Sequence, residues 1–220
     1  MVSVPDDRPV AVLDVGVSSG VSTVELSTAL REQGWLYRLS GIDLYLEARL
    51  VRSLFGAVLF LPPDDILQSD VLGFAFPNTP PSRISGWIFG AVRPLLRRRW
   101  RRGMGSECVP LLCSAARRSD ITFVSGDVLG EVYPPDPAQH FDLIRVANVL
   151  NASYFTASQL RTACHNLARK LSRQGSLLVA RSTDDGNVAT VYQRDADQLR
   201  VMDHYRGGVE IDEAMLDAAE

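Results

Sequence analysis

The stretch Leu13-Asp14-Val15-Gly16-Val17-Ser18-Ser19-Gly20 sets an acid, two glycines and two serines directly behind an apolar run. A strand that enters a glycine turn and then a helix leaves backbone N–H groups at the helix start, where they can bind an anionic or polar group. Glycine lets the main chain approach a ligand closely and adopt positive φ. Asp43 and Asp127 each follow a later apolar run, and a carboxylate at a strand end can accept hydrogen bonds from a ribose diol. A dinucleotide fingerprint needs G-x-G-x-x-G, whereas the residues from Gly16 read GVSSGV, which argues against nicotinamide chemistry. A lone Asp after a strand is commonly a cap or turn residue. Three at one sheet edge point to a ligand cleft.

The elements that must position these residues follow from periodicity. Pro9 to Val15 is a continuous apolar run of the kind that forms a buried parallel strand. Val21 to Gln33 is expected to be a helix that stops at Gly34, and Tyr37 to Ile42 a second strand ending at Asp43. Leu44 to Phe55 reads as helical, Ala57 to Leu61 and Ile66 to Phe76 as a β-hairpin around PPDD, and Val109 to Arg117 as a further core helix. Strands are expected at Ile121 to Val124, Phe141 to Val146 and Ser176 to Ala180, with an amphipathic helix over Ser158 to Leu171. Ala189 to Gln193 and Leu199 to Tyr205 read as an antiparallel hairpin, and the acidic last ten residues as a frayed tail. Strands alternating with helices imply a parallel sheet. The expected fold is one α/β domain over 1–220, Rossmann-like and doubly wound. Its mostly parallel sheet ends in an antiparallel hairpin, and an insertion at 57–106 separates the second and third core strands.

The loop resembles the first motif of class I S-adenosylmethionine-dependent methyltransferases, D-x-G-x-G-x-G: Asp14, Gly16 and Gly20 match, and Ser18 replaces the middle glycine. The later stretch FDLIRVANVLNASYF, followed by LRTACHNLARKL and QGSLLVARS, is similar to the second half of chemotaxis-receptor methyltransferases, whose fourth strand reads FDLI followed by RNVL. That likeness covers roughly the last third of the chain. The resemblance implies S-adenosylmethionine as cofactor, with Asp14, Gly16, Ser18 and Gly20 around it and Asp43 on the ribose. It further implies Asp127 at the adenine, Val128 beside the cofactor and Asn148 near the methionine part. A side chain at Gly16 is expected to block that ligand while leaving the fold intact.

Methyl transfer from a sulfonium is an in-line displacement promoted mainly by alignment and exclusion of water, and it requires no covalent residue. Asn148, Asn151, Tyr154 and Tyr45 are the polar candidates near the carboxyl edge. His165 falls outside its helix's apolar stripe, His204 reads as structural, and no general base stands out. The alternative is a non-catalytic protein that binds an S-adenosyl ligand or acts as an adaptor.

Residues 84–102 interleave Trp87, Phe89 and Trp100 with Arg93, Arg97, Arg98, Arg99, Arg101 and Arg102 around Pro94. Such a segment can cover a pocket for a small-molecule or lipid-like substrate as a mobile lid or docking surface, lie on an anionic membrane surface, grip nucleic acid, or simply form a partly buried helix with a solvated arginine end. The net charge of −3 argues against a whole-molecule nucleic-acid binder. Cys108, Cys113 and Cys164 lack metal or disulfide spacing. With an N-terminus unlike a signal peptide, they lead to the expectation of a cytoplasmic, metal-free protein that touches membranes at most peripherally.

Overall fold

The computed structural model describes residues 8–53, 56–62, 65–71, 74–77, 94, 98, 106–130, 139–196 and 198–217. The chain divides into two compact units, one of Met1–Leu44 with Cys113–Glu220, the other of Tyr45–Leu112.

In the first unit, strands β1 (Val10–Val15) and β2 (Tyr37–Asp43) flank helix α1 (Val21–Glu32) in sequence. Strand β1 is almost wholly buried, as its mainly apolar run requires of a strand covered on both faces, and the burial includes Asp14. Helix α1 starts at Gly20, whose φ of 76° is left-handed, and ends before Gly34, also left-handed at 74°. Its inward residues are Thr23, Ser27 and Leu30, so this helix is held to the sheet as much by polar contacts as by apolar ones.

Two groups of strands lie further along the chain. Strands β3 (Glu47–Ser53), β4 (Gly56–Leu61), β5 (Asp65–Val71), β6 (Phe74–Pro77) and β7 (Ser106–Pro110) belong to the second unit. The first unit resumes with helix α2 (Ser114–Arg118), β8 (Thr122–Ser125), β9 (Phe141–Ala147) and helix α3 (Ala157–Lys170). It closes with β10 (Leu171–Thr183), β11 (Gly186–Asp195), β12 (Gln198–Tyr205) and helix α4 (Asp212–Asp217). Its seven-stranded sheet runs β12-β11-β10-β9-β1-β2-β8. The five strands from β8 to β10 are parallel, and β11 and β12 add an antiparallel hairpin. Leu160, Cys164 and Leu167 of α3 pack on one face with Leu13, Ile144 and Leu177, and Leu30 of α1 packs on the other with Val12, Leu39 and Leu143. Helices on both faces of a mostly parallel sheet make the fold Rossmann-like and doubly wound, as expected.

Helix α3 begins with a capping box: Thr156 Oγ1 accepts from the Gln159 amide while the Gln159 side chain accepts from the Thr156 amide. The described part of the expected frayed tail is instead helical over Asp212–Asp217. Helix α4 buries Met215 completely and Ile211 just before it also enters the core, Asp212 accepts hydrogen bonds from Tyr192 and His204, and Glu213 and Asp217 are exposed.

The second unit is an antiparallel sheet in the order β6-β5-β4-β3-β7, with Val51, Val58, Phe60 and Ile66 as its core. The expected helix over Leu44–Phe55 is replaced by β3. Ala48 and Val51 are spaced like a helix stripe, but hydrogen bonding to β4 on one side and β7 on the other overrides local preference. The expected helix at Val109–Arg117 is likewise part strand. Pro110 cannot sit inside a helix, so β7 ends there and the short α2 starts only after Cys113, whose sulfur accepts from the Ala116 amide. The expected hairpin is present as β4 and β5, but its second arm, expected as one strand over Ile66 to Phe76, is split into β5 and β6, which pair antiparallel with each other. Within 84–102 only Pro94 and Arg98, both exposed, are among the described residues; the rest of the Arg/Trp segment lies outside them. Among the described residues no helix is long and apolar enough to cross a membrane, and no group of three His, Cys, Asp or Glu could hold a metal.

Candidate ligand site

Strand β1 lies between β2 and β9, and successive connections leave it in opposite directions along the sheet: β2 and β8 to one side, β9 and β10 to the other. In open α/β sheets ligands bind outside the carboxyl ends of the strands at such a reversal. Gly16 to Gly20 sit there. The Gly16 and Val17 amides donate to the Ile42 carbonyl at 2.9 and 3.3 Å, and the Ser18 amide donates to Asp43 Oδ2 at 2.7 Å. The Asp43 carbonyl in turn accepts from the Gly126 amide at 2.9 Å. Asp43 thus joins the glycine loop, through its carboxylate, to the turn that carries Asp127, through its main chain. Helix α1 has no side-chain cap and no acid in its first turn, so its positive end is available to a negative group.

The remaining expected residues are placed as follows. Asp14 is 1% exposed. Its carboxylate accepts from Thr23 Oγ1 at 2.6 Å and from Arg145 through Nε at 2.7 Å and Nη2 at 2.8 Å. Asp127 is exposed and accepts from the Leu129 amide at 2.9 Å, while Val128 turns into the apolar core. Asn148 has a φ of 59° and accepts from the Ser182 amide at 2.7 Å, which pins the end of β9 to β10. Asn151 caps its own turn through the Ser153 amide. Tyr154 is 72% exposed on the same loop. Tyr45 opens the second unit. His165 is exposed on α3 and His204 binds Asp212 at 2.7 Å.

The surroundings of Gly16 themselves hold the position to glycine. Its φ is 81°, and a Cβ there would lie 2.0 Å from Val149 Cγ2 and 3.4 Å from the Ala147 carbonyl oxygen. Intolerance of a side chain is therefore built into the protein whether or not a ligand is bound, and Gly16→Val would disturb the junction of β1 and β9 as well as any ligand. Arg145 is the residue that pattern reading passed over. The visible signal is a basic residue in the middle of the otherwise apolar run LIRVA of strand β9.

No known protein family matches the sequence, and no curated protein does. Solved structures with a similar fold include the N-methyltransferase NodS from Bradyrhizobium japonicum WM9 in complex with S-adenosyl-L-homocysteine, at 20% identity and a TM-score of 0.39 over 81% of this chain and 55% of that one. Another is CalS10 from Micromonospora echinaspora, an S-adenosylmethionine-bound amino pentose methyltransferase, at 12% identity and a TM-score of 0.41 over 96% of this chain and 73% of that one. The [4+2]-cyclase SpnF is similar at 16% identity and a TM-score of 0.36, over 80% of this chain and 40% of its own. The chain spans about half the length of NodS and less of SpnF.

Proposed function

We propose that this chain binds S-adenosylmethionine at the β1–β2–β9 carboxyl edge and supports methyl transfer to an acceptor. The observation that carries this reading is the glycine loop at the strand-order reversal, fastened to Asp43 by the Ser18 amide. The donor set suits such a ligand: the uncapped start of α1 can meet a carboxylate, Asp43 a ribose diol, and the turn at Asp127 an adenine. When bound, the cofactor supplies a methyl group on a positively charged sulfur. The chain's own task is to orient that group and exclude water. Asn148 and Asp14 would act by holding β9, β10 and α1 in place, because their side chains are taken up by Ser182, Thr23 and Arg145.

Those internal bonds also favour a second reading, a binding protein without turnover. Thermal shift and calorimetry with S-adenosylmethionine, S-adenosylhomocysteine and NAD test the binding claim. Stabilisation by both adenosyl ligands and not by NAD is expected, and the converse pattern overturns it. Release of S-adenosylhomocysteine during incubation with candidate acceptors separates enzyme from binder.

A further inference from the structure

We propose that Arg145 is a positioning residue that sets the shape of the 16–20 loop through Asp14. The proposal rests on the reading of that loop as the ligand loop.

Asp14 and Arg145 are direct partners in the β1–β9 register, across the strand-order reversal itself. The preceding pair on the same face is Val12 and Leu143, 0% and 9% exposed. Apolar side chains therefore suffice to fill this face, yet at the loop end an ion pair replaces them. Buried ion pairs are poor stabilisers compared with apolar packing, so the pair calls for another role, and its contacts indicate which. The guanidinium meets the Asp14 carboxylate through two nitrogens, Nε at 2.7 Å and Nη2 at 2.8 Å. Its Nη2 also donates to Ser22 Oγ at 3.0 Å and its Nη1 to the Ser22 carbonyl at 3.2 Å. Thr23 completes the cluster on Asp14 Oδ2. Asp14 stands two residues before Gly16, and Ser22 two residues after Gly20. One planar, bidentate group thus fastens both ends of the loop to β9, a geometry that lysine cannot reproduce.

The test uses the full chain with Arg145→Met, Arg145→Lys and the double variant Asp14→Val/Arg145→Met. In ligand-free protein, the amide resonances of Ser18 and Gly20 are expected to shift in all three. S-adenosylhomocysteine affinity is expected to fall about tenfold or more, the scale of a lost charged hydrogen bond. The double variant should recover thermal stability without recovering affinity, because an apolar pair satisfies burial but cannot fasten α1. Unmoved loop resonances, or full affinity in the double variant, overturn the proposal. If Arg145→Met does not fold, Arg145→Lys, which keeps the charge on Asp14, supplies the same readout. Wild-type protein that binds no S-adenosylhomocysteine would sink the proposed function, while the ligand-free resonances would still decide the role of Arg145.

Discussion

Val149 Cγ2 lies where a Cβ on Gly16 would have to go, 2.0 Å from it, so the first loop residue after β1 and the second residue after β9 are packed into each other. Gly16→Ala is therefore expected to be destabilising on two counts. The left-handed backbone contributes about 1–2 kcal/mol, and overpacking adds about 1–3 kcal/mol. Adding Val149→Ala should relieve the second part but not the first, making the pair non-additive in urea unfolding. Additive effects would mean that Val149 moves aside freely.

Asp43→Ala should weaken S-adenosylhomocysteine binding by about 1–3 kcal/mol, the cost of leaving buried hydroxyls and the Ser18 amide without their acceptor. Calorimetry on this variant, with circular dichroism to verify the fold, makes the measurement. Unchanged affinity would remove Asp43 from the site.

Burial pushes the Cys164 thiol up from its ordinary 9.0 to about 12. Iodoacetamide at pH 8 should leave Cys164 unmodified in the native protein and alkylate it in urea, read by mass spectrometry. Because the folded value is raised, the associated stability is complete below about 9 and declines as pH climbs towards 12. The slope is at most about 1.4 kcal/mol per pH unit.

Asp142 shows the opposite sign. Burial alone would raise its carboxyl, but the Arg8 guanidinium at 2.6 Å, the Ala11 amide and the Ser172 hydroxyl together outweigh burial and hold it below the ordinary 3.8. Its contribution to stability is present above 3.8 and lost as pH falls through the depressed value. Arg8→Met should flatten the acid limb of a stability–pH curve measured from urea midpoints. A curve identical to wild type would show the pair to be inconsequential.

Met215→Ala should cost about 2–5 kcal/mol, as for other fully buried methionines. A thermal melt unchanged by this substitution would return the last residues to the status of a loose tail.

The first unit was legible because its strands are buried on both faces and so read as mainly apolar runs: Val10–Val15, interrupted only by Asp14, and Phe141–Ala147, interrupted by Asp142 and Arg145, announce themselves. The glycine turn and Asp43 follow from the same logic, since loop chemistry is local. Strands β3 and β7 were not legible. Glu47 pairs with Pro110 more than sixty positions away, and nothing near either residue declares that partner. Arg145 escaped for a related reason. Its meaning depends on standing opposite Asp14, and register between distant strands is not written in either strand alone. Nor was the buried Met215 evident in a segment whose four acids among its last ten residues suggest solvent exposure.

Because β3 and β7 are hydrogen-bonded neighbours, the 45–112 segment enters and leaves at adjoining strands. A stretch with joined ends behaves towards the rest of the chain as one long loop, and the entropy of closing a loop rises by only about 0.6 kcal/mol for each doubling in length. The Asp43-to-β8 interval can therefore lengthen, shorten or exchange its contents in the course of descent while the parallel sheet around it keeps its register.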